Sequence, residues 1–392
     1  MSAVSSPVPV SNSPQPAAIG VPLPTPALIT AMLNSCQGSS DLIFSPGRAP
    51  QVEGSGRLMT PAIAGLNVLT PHDTAKLAAD LIGQNRVAMQ TLKDEGSADL
   101  SYSIPQVSRF RVNIFRQRGS YAIVMRVISS GIPTFQELRL PEELKQIALL
   151  RTGAVLVTGP TGSGKSSTLA AIIDLINSTR AEHIITIEDP IEFIHPHKKA
   201  TIHQRELHTD TVSFASALRA ALRQAPKVIL VGEMRDKETI EIALSAAETG
   251  HLVLSTLHTI DASKTVERII GAFPLAEQGA IRTRLAATFR YFVAQKLLPR
   301  KNQEGRTAIF EILKSTLRTR SYIEQGEKEG KSLLDAIRDG DQDGMQCFDG
   351  ELEKQVREGK VGLTTALQYA TNEGNLRLML SDCEAEPVQD TK

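Results

Sequence analysis

The spacing of apolar and polar residues changes along the chain, and each change marks a different kind of structure. Residues 1–27 are mostly Pro, Ser, Ala and Val without a repeating pattern, which predicts a disordered tail. Residues 28–130 carry short alternating apolar runs, whereas residues 141–392 alternate compact apolar runs with helical segments. We therefore predict a tail, a first domain, a linker over residues 131–140 and a second domain.

The first domain combines strand and helix patterns. Its alternating runs predict three β-strands, at residues 98–104, 109–115 and 121–128. The last two strands form a predicted hairpin that turns at residues 118–120. Residues 27–34 and 71–81 have helical spacing, with Thr70 as the N-cap of the second helix and Pro71 at its first position. This domain is predicted to be α+β.

The second domain has strands that are apolar throughout. They are predicted at residues 154–158, 184–187, 228–231 and 252–255. Strands of this kind, alternating with helices, are typical of a parallel sheet with helices on both faces, so the fold class is α/β. Beyond residue 313 the chain becomes charged and helical, which predicts a C-terminal helical subregion within residues 141–392.

Composition excludes several classes of protein. The 43 basic and 43 acidic residues balance, which argues against a broad nucleic-acid-binding surface. Cys36, Cys347 and Cys383 are far apart, so neither a disulfide framework nor a cysteine zinc site is expected. No signal peptide and no apolar stretch of about 18 residues is found. We expect a cytoplasmic protein that meets membranes only through a partner.

A phosphate-binding motif follows the first strand of the second domain. The letters GPTGSGKS at residues 159–166 fit GxxxxGK[ST] and lie between a strand and a helix. Lys165 is expected to reach the β- and γ-phosphates of ATP, and Ser166 to coordinate Mg²⁺. The alternative is a glycine-rich turn without a ligand. The predicted nucleotide-binding residues are Gly159, Pro160, Thr161, Gly162, Ser163, Gly164, Lys165, Ser166 and Ser167.

Acidic residues and a histidine follow the other three strands. Gly232 stands where an Asp is usual, so Glu233 is the first carboxylate after its strand and the predicted general base. An ordinary helix-capping acid is the alternative. Glu188 and Asp189 end another strand and are expected near the phosphates, holding Mg²⁺ through water or assisting the base. His258 ends the fourth strand; we favour phosphate sensing over a structural role.

These four motifs, in this order, resemble the secretion-type hexameric ATPases. The matching letters are GPTGSGKS, TIEDPIEF at residues 186–193, VGEMRD at residues 231–236 and TGHLVLSTLHT at residues 249–259. Further strings, HQRE, AQKLLP and GMQ, extend the resemblance over about residues 28–380. It is closest to the type IV pilus retraction ATPases, the PilT and PilU family. The resemblance implies a PAS-like domain followed by a RecA-like P-loop ATPase domain, assembled as a homohexamer with ATP between the domains.

The resemblance also assigns roles. It implies that two arginines of the first domain approach the phosphates, and Arg111 and Arg126 are chosen because hairpin strands bring both to one face; exposed strand arginines are the alternative. It implies a motor that hydrolyses ATP with Mg²⁺ to retract type IV pili in twitching motility. Its partners would be an inner-membrane platform protein and a paralogous pilus ATPase, with no nucleic acid, at the cytoplasmic side of the inner membrane.

Some positions depart from the retraction pattern. Residues 41–44 read DLIF instead of DLHL, Ser255 replaces a glycine, and the family's C-terminal AIRNLI-like motif is not legible in residues 319–325. An accessory PilU-like role, a type IV secretion-related ATPase and a nucleotide-gated assembly protein without hydrolysis therefore remain alternatives.

Overall fold

The computed structural model divides into two compact units, Met1–Ile128 and Ser129–Lys392. It describes residues 23–36, 38–54, 57–63, 68–128, 131–301 and 305–383. Residues 1–22 of the predicted tail lie outside the described residues. The end of that predicted tail differs from the structure, because a helix already begins at Thr25.

The first unit is an antiparallel sheet with three helices. Its elements are α1 (Thr25–Ser35), β1 (Ser39–Phe44), β2 (Gln51–Gly54), β3 (Arg57–Met59), α2 (Pro71–Ile82), α3 (Arg86–Asp94), β4 (Ser97–Ile104), β5 (Ser108–Gln117) and β6 (Ser120–Ile128). The sheet order is β3-β2-β1-β6-β5-β4. Phe110, Val112 and Ile114 of β5 are fully buried, as the alternation of that strand requires.

Two local predictions for this unit are confirmed. Strands β5 and β6 form the expected hairpin, and Arg111 stands directly opposite Arg126. Helix α2 begins where predicted, since the Thr70 side chain accepts a hydrogen bond from the backbone N–H of Asp73 at 3.2 Å. The α+β character of the first unit is therefore as the sequence indicates.

The second unit is a mostly parallel sheet between helices. Its elements are α4 (Phe135–Leu138), a 3₁₀ helix (Glu142–Leu149), β7 (Gly153–Thr158), α5 (Lys165–Thr179), β8 (His183–Glu188), β9 (Thr201–Glu206), α6 (Phe214–Ala221), β10 (Val228–Val231), α7 (Lys237–Glu248), β11 (Leu252–Leu257), α8 (Ala262–Gly271), α9 (Leu275–Thr288), β12 (Phe289–Pro299), β13 (Arg306–Lys314), α10 (Leu317–Gln325), α11 (Leu333–Arg338), α12 (Phe348–Arg357), α13 (Leu363–Tyr369) and α14 (Glu373–Met379). The predicted α/β class and the C-terminal helices are confirmed.

The sheet contains more strands than the sequence pattern predicts. Its order is β13-β12-β7-β11-β10-β8-β9, and only the β12–β13 pair is antiparallel. The four apolar runs became β7, β8, β10 and β11. Strand β9 escaped prediction because, at one edge of the sheet, it exposes polar residues on one face. The predicted linker over residues 131–140 also differs, since it contains α4 and ends in the buried Leu140.

The strand order gathers the polar strand ends of the second unit. Strand β11 lies between β7 and β10, and β8 pairs with the other edge of β10. Because these strands are parallel, their carboxyl ends meet at one edge of the sheet, where open α/β sheets bind ligands. Among the described helices, none combines the length and apolar character needed to cross a bilayer.

Candidate functional site

The loop between β7 and α5 is shaped by close packing against β12. A Cβ on Gly159, whose φ is 141°, would lie 2.3 Å from the backbone oxygen of Gln295. A Cβ on Gly164, whose φ is 91°, would lie 2.9 Å from Nε2 of the same glutamine. The Thr168 hydroxyl donates a hydrogen bond to Gln295 Oε1 at 2.8 Å. Gln295 therefore packs directly against the loop, and its closeness requires glycine at positions 159 and 164.

Lys165 is the first residue of α5 and folds back over the loop. Its Nζ donates hydrogen bonds to the backbone oxygens of Gly159 at 2.8 Å and Pro160 at 3.1 Å. Burial lowers the pKa of Lys165, while the charges of Glu233 and Glu192 oppose that shift. The ammonium is thus held within the loop, where a phosphate chain would compete with neutral carbonyls for it.

The first turn of α5 presents hydroxyls and backbone N–H groups to the loop. Ser166 and Ser167 are partly exposed there. The Ser163 hydroxyl is buried, and the described residues give it no hydrogen-bond partner. An unpaired buried hydroxyl beside a helix N-terminus fits an anionic ligand better than a solvent-filled turn. The other loop residues lie at the surface: Pro160, Thr161 and Gly162.

A chain of polar contacts connects this loop with the ends of two neighbouring strands. Lys165 Nζ lies 3.5 Å from His258 Nδ1, and His258 Nε2 lies 3.3 Å from Glu233 Oε2. Because an ammonium has no lone pair, Nδ1 must accept, so Nε2 carries the proton and donates to Glu233. Arg235 Nη2 lies 2.7 Å from the same Oε2 atom. The structure thus brings together the predicted lysine, histidine and general base.

Glu233 is ionised more readily than an ordinary glutamate. Partial burial alone would raise its pKa, but the hydrogen bond and charge of Arg235 and the contact with His258 outweigh it, so the pKa of Glu233 is lowered. Its side chain is 15% exposed and that of His258 is 42% exposed. An ionised, recessed carboxylate of this kind can accept a proton from water.

Glu188, at the end of β8, is held in a different environment. Its Oε1 accepts hydrogen bonds from the Thr186 hydroxyl at 2.6 Å and from Gln204 Nε2 at 3.1 Å. Burial raises the pKa of Glu188 to about 7, although these two bonds and one from the backbone of Glu192 act in the opposite direction. Among the described residues, the groups that donate hydrogen bonds to its carboxylate are neutral, and the charge of Glu192 raises the pKa slightly further, so Glu188 is partly protonated near neutral pH.

The predicted Mg²⁺ ligands, Ser166 and Asp189, are not part of a preformed cluster of metal-binding side chains among the described residues. Asp189 is exposed and lies near enough to Arg235 to contribute to raising the pKa of that guanidinium, after the larger contribution of Glu233. In the part of the chain that the structure describes, no group of three or more His, Cys, Asp or Glu side chains is arranged to hold a metal. One serine hydroxyl with phosphate oxygens and water is nevertheless a typical Mg²⁺ environment, so Ser166 and Asp189 remain predictions.

The predicted arginines belong to the first unit. Both side chains are exposed, and Arg126 Nε donates to Asp41 Oδ1 at 3.0 Å. The cross-strand pairing places Arg111 and Arg126 on one face of the sheet. Their predicted contact with phosphates is not tested by these contacts and stays a prediction.

A cavity of about 390 Å³ adjoins the phosphate loop within the second unit. Beyond residues of the loop and of the first turn of α5, its lining combines apolar side chains with charged ones. The apolar residues include Leu138, Leu140 and Leu297, and the charged residues are Glu137, Arg139, Glu192, Arg300 and Arg306. Apolar walls with a few charged groups are suited to a nucleoside attached to phosphates.

Three residues of the site were missed from sequence. Gln295, Gln204 and Arg235 each lie in a string that resembles the family, yet no chemical pattern singles out a glutamine or an exposed arginine there. Arg235 had the only local signal, since it stands two residues after the predicted general base.

Comparisons with known proteins agree with this geometry. Residues 80–367 match the family described as "Type II/IV secretion system protein". The chain is 41% identical to the Pseudomonas aeruginosa "Type IV pilus retractation ATPase PilT", covering 85% of this chain and 95% of that protein. It is 38% identical to "Type IV pilus ATPase PilU" of the same organism, with 88% of each chain covered.

A solved structure of the pilus retraction motor PilT with bound ADP superposes with a TM-score of 0.81. The two are 39% identical, and the superposition covers 91% of this chain and 99% of that one. Since the family match spans most of the sequence, and a phosphate loop, an acidic strand end and a histidine strand end meet in the order expected, the chain belongs to the type II/IV secretion system protein family.

Proposed function

We propose that this chain is an ATP-hydrolysing motor that powers type IV pilus retraction. The observation that carries the proposal is the contact chain from Lys165 through His258 to Glu233, because it joins a phosphate-binding loop to a base. Relatives named as pilus retraction ATPases, over most of this chain, support the biological assignment.

The loop from Gly159 to Ser167 would hold the triphosphate through backbone N–H groups and the Lys165 ammonium. The neighbouring cavity, with its apolar walls and arginines, is the natural place for the nucleoside. The oxygen donors of Ser166 and Asp189 suit Mg²⁺, which, when bound, neutralises charge on the β- and γ-phosphates.

In the proposed hydrolysis, Glu233 accepts a proton from water as the water oxygen bonds to the γ-phosphorus. The bond from the γ-phosphorus to the oxygen that bridges it to the β-phosphorus breaks, and ADP leaves with that oxygen. His258, hydrogen-bonded to both Lys165 and Glu233, senses the arrival of the phosphate chain because Lys165 must leave its present partners to contact it. Lys165 stabilises the negative charge that develops. Arg111 and Arg126 would act on the phosphates as further cations.

The motor is proposed to work as a homohexamer at the cytoplasmic side of the inner membrane. It would act there on a platform protein of the pilus machine, alongside a paralogous pilus ATPase and without nucleic acid. An accessory role is the second candidate, and the 38% identity to PilU over 88% of the chain is the observation that favours it.

The enzymatic part is tested by phosphate release from Mg-ATP by the purified chain. We expect Lys165→Ala to lower turnover by about a hundredfold, because a preorganised cation at the transferred phosphate is lost. Lys198→Ala is the matched control, since Lys198 forms a partly exposed ion pair with Asp174 of α5. A wild-type chain without turnover, or two variants of equal activity, would overturn the proposal.

The biological part is tested by deleting the gene and measuring surface pili and surface motility. Excess pili with lost motility are expected for a retraction motor. Retraction that persists at reduced force would indicate the accessory role, and absent pili would refute both.

A further inference from the structure

The two carboxylate oxygens of Glu233 have different numbers of contacts. Arg235 and His258 both contact Oε2, at 2.7 Å and 3.3 Å. Among the described residues no hydrogen bond to Oε1 is found. A carboxylate held through one oxygen in this way keeps the other oxygen available to a water molecule.

The backbone that carries Glu233 is clamped on both sides. The N–H of Gly232 donates to the Ile187 oxygen at 2.7 Å, and the Thr256 hydroxyl donates to the Gly232 oxygen at 2.6 Å. Met234, next along the chain, is buried. The position of the carboxylate is therefore set by its side-chain contacts, because the strand end beneath it does not move freely.

Arg235 differs from every other contact of this carboxylate in its exposure. Its side chain is 70% exposed, whereas that of His258 is 42% exposed. The next residue, Asp236, caps α7 by accepting a hydrogen bond from the Thr239 N–H at 2.8 Å. The backbone at Arg235 is therefore fixed, while its guanidinium is largely exposed to solvent. Because so little of the side chain is packed, the contact with Glu233 accounts for its orientation.

We propose that Arg235 is a positioning residue of the hydrolysis reaction, which holds Glu233 through Oε2 and directs Oε1 toward the attacking water. This inference rests on the proposed function. His258 contacts Oε2 as well, but it is also engaged with Lys165 and so responds to the phosphate chain. Arg235 supplies the contact that does not depend on the nucleotide.

The charges around Glu233 decide how this is measured. Arg235 contacts it from its own segment and His258 from the end of β11, while the charge of Lys165 acts on it from α5. Asp189 acts on Arg235, and Glu192 acts on Lys165. Glu188 is a further carboxyl, with a pKa of about 7, that would obscure the titration of Glu233. The pH profile of kcat is therefore best recorded in both the wild-type and the Glu188→Gln background.

The test compares Arg235→Met with Arg235→Lys. In the Met variant we expect kcat to fall about tenfold, as the water is aligned less well, with KM for ATP within twofold of wild type. The acid limb of kcat should move up by about one pH unit, because loss of an adjacent cation raises the pKa of a carboxyl. The Lys variant keeps the positive charge, so its kcat and the pH of its acid limb should lie close to those of wild type.

Arg219→Met is the matched control, because Arg219 is an exposed arginine of the same unit that pairs with the exposed Glu238. Its profile should coincide with that of wild type, and equal melting temperatures would exclude misfolding. If wild type and Glu233→Gln behave as proposed but Arg235→Met coincides with the control, or is faster than wild type, the inference alone fails. If Glu233→Gln retains full turnover, the proposed function itself fails.

Discussion

Glu188 ends strand β8 and Glu233 follows the adjacent strand β10, yet their surroundings shift the two pKa values in opposite directions. Glu188 is surrounded by neutral donors and has its pKa raised to about 7 by burial. Glu233 is contacted by Arg235 and His258, which lower its pKa. Pairs of acids whose environments separate their pKa values are a common way to divide acid and base roles. The difference shows that Glu233 is ionised before the reaction and can accept a proton, whereas Glu188 is partly protonated near neutral pH.

The largest expected effect is on turnover. We expect Glu233→Gln to lower kcat by about 10²–10⁴-fold while leaving ATP binding intact, because an amide cannot accept the proton from water. Glu188→Gln should lower kcat only about tenfold, since Thr186 can still donate to the amide oxygen. Phosphate release and nucleotide binding would be measured for both variants. Equal losses would remove the functional distinction between the two glutamates.

The next effect is on stability as a function of pH. Because the folded pKa of Glu188 is raised to about 7, the unfolded chain loses its proton first, and stability falls as pH rises from about 4.5 through 7. Glu188→Gln should remove a decline of the order of 3 kcal/mol from that window. Urea unfolding at pH 5 and pH 8 measures it.

A matched control for this effect is Glu311, whose pKa burial also raises to about 7. Glu311 accepts a hydrogen bond from the Ala262 N–H at the start of α8. Glu311→Gln should remove a similar part of the pH dependence. A Glu188→Gln variant with the pH dependence of wild type would show that its carboxyl is ionised in the fold.

The smallest expected effect comes from removing a single hydrogen-bond donor to Glu188. Thr186→Val removes the hydroxyl that contacts Glu188, which should destabilise the fold by about 1 kcal/mol and raise the pKa of Glu188 further. The fall in stability should then extend to higher pH. Ser255→Ala is the control, because that buried hydroxyl donates to the Val231 oxygen and contacts no carboxylate. Identical pH dependence in the two variants would contradict the assignment.

Prediction from sequence succeeded where chemistry follows from local pattern. The loop at residues 159–166 and the apolar strands were legible because spacing along the chain alone determines a turn, a helix start and a buried strand. Strands β9 and β12 were not predicted, and with them Gln204 and Gln295 were missed. Their polar side chains matter only because the sheet places them beside Glu188 and the phosphate loop.

The amino-acid sequence by itself determined the α/β class, the phosphate loop and which acidic residues end its strands. Only the tertiary structure decided how those residues differ, because a pKa depends on burial and on neighbours that are distant along the chain. Strand order placed His258 between Lys165 and Glu233. Folding brought Gln204 to Glu188 and His258 to Glu233, whereas Arg235 lies only two residues from Glu233 along the chain.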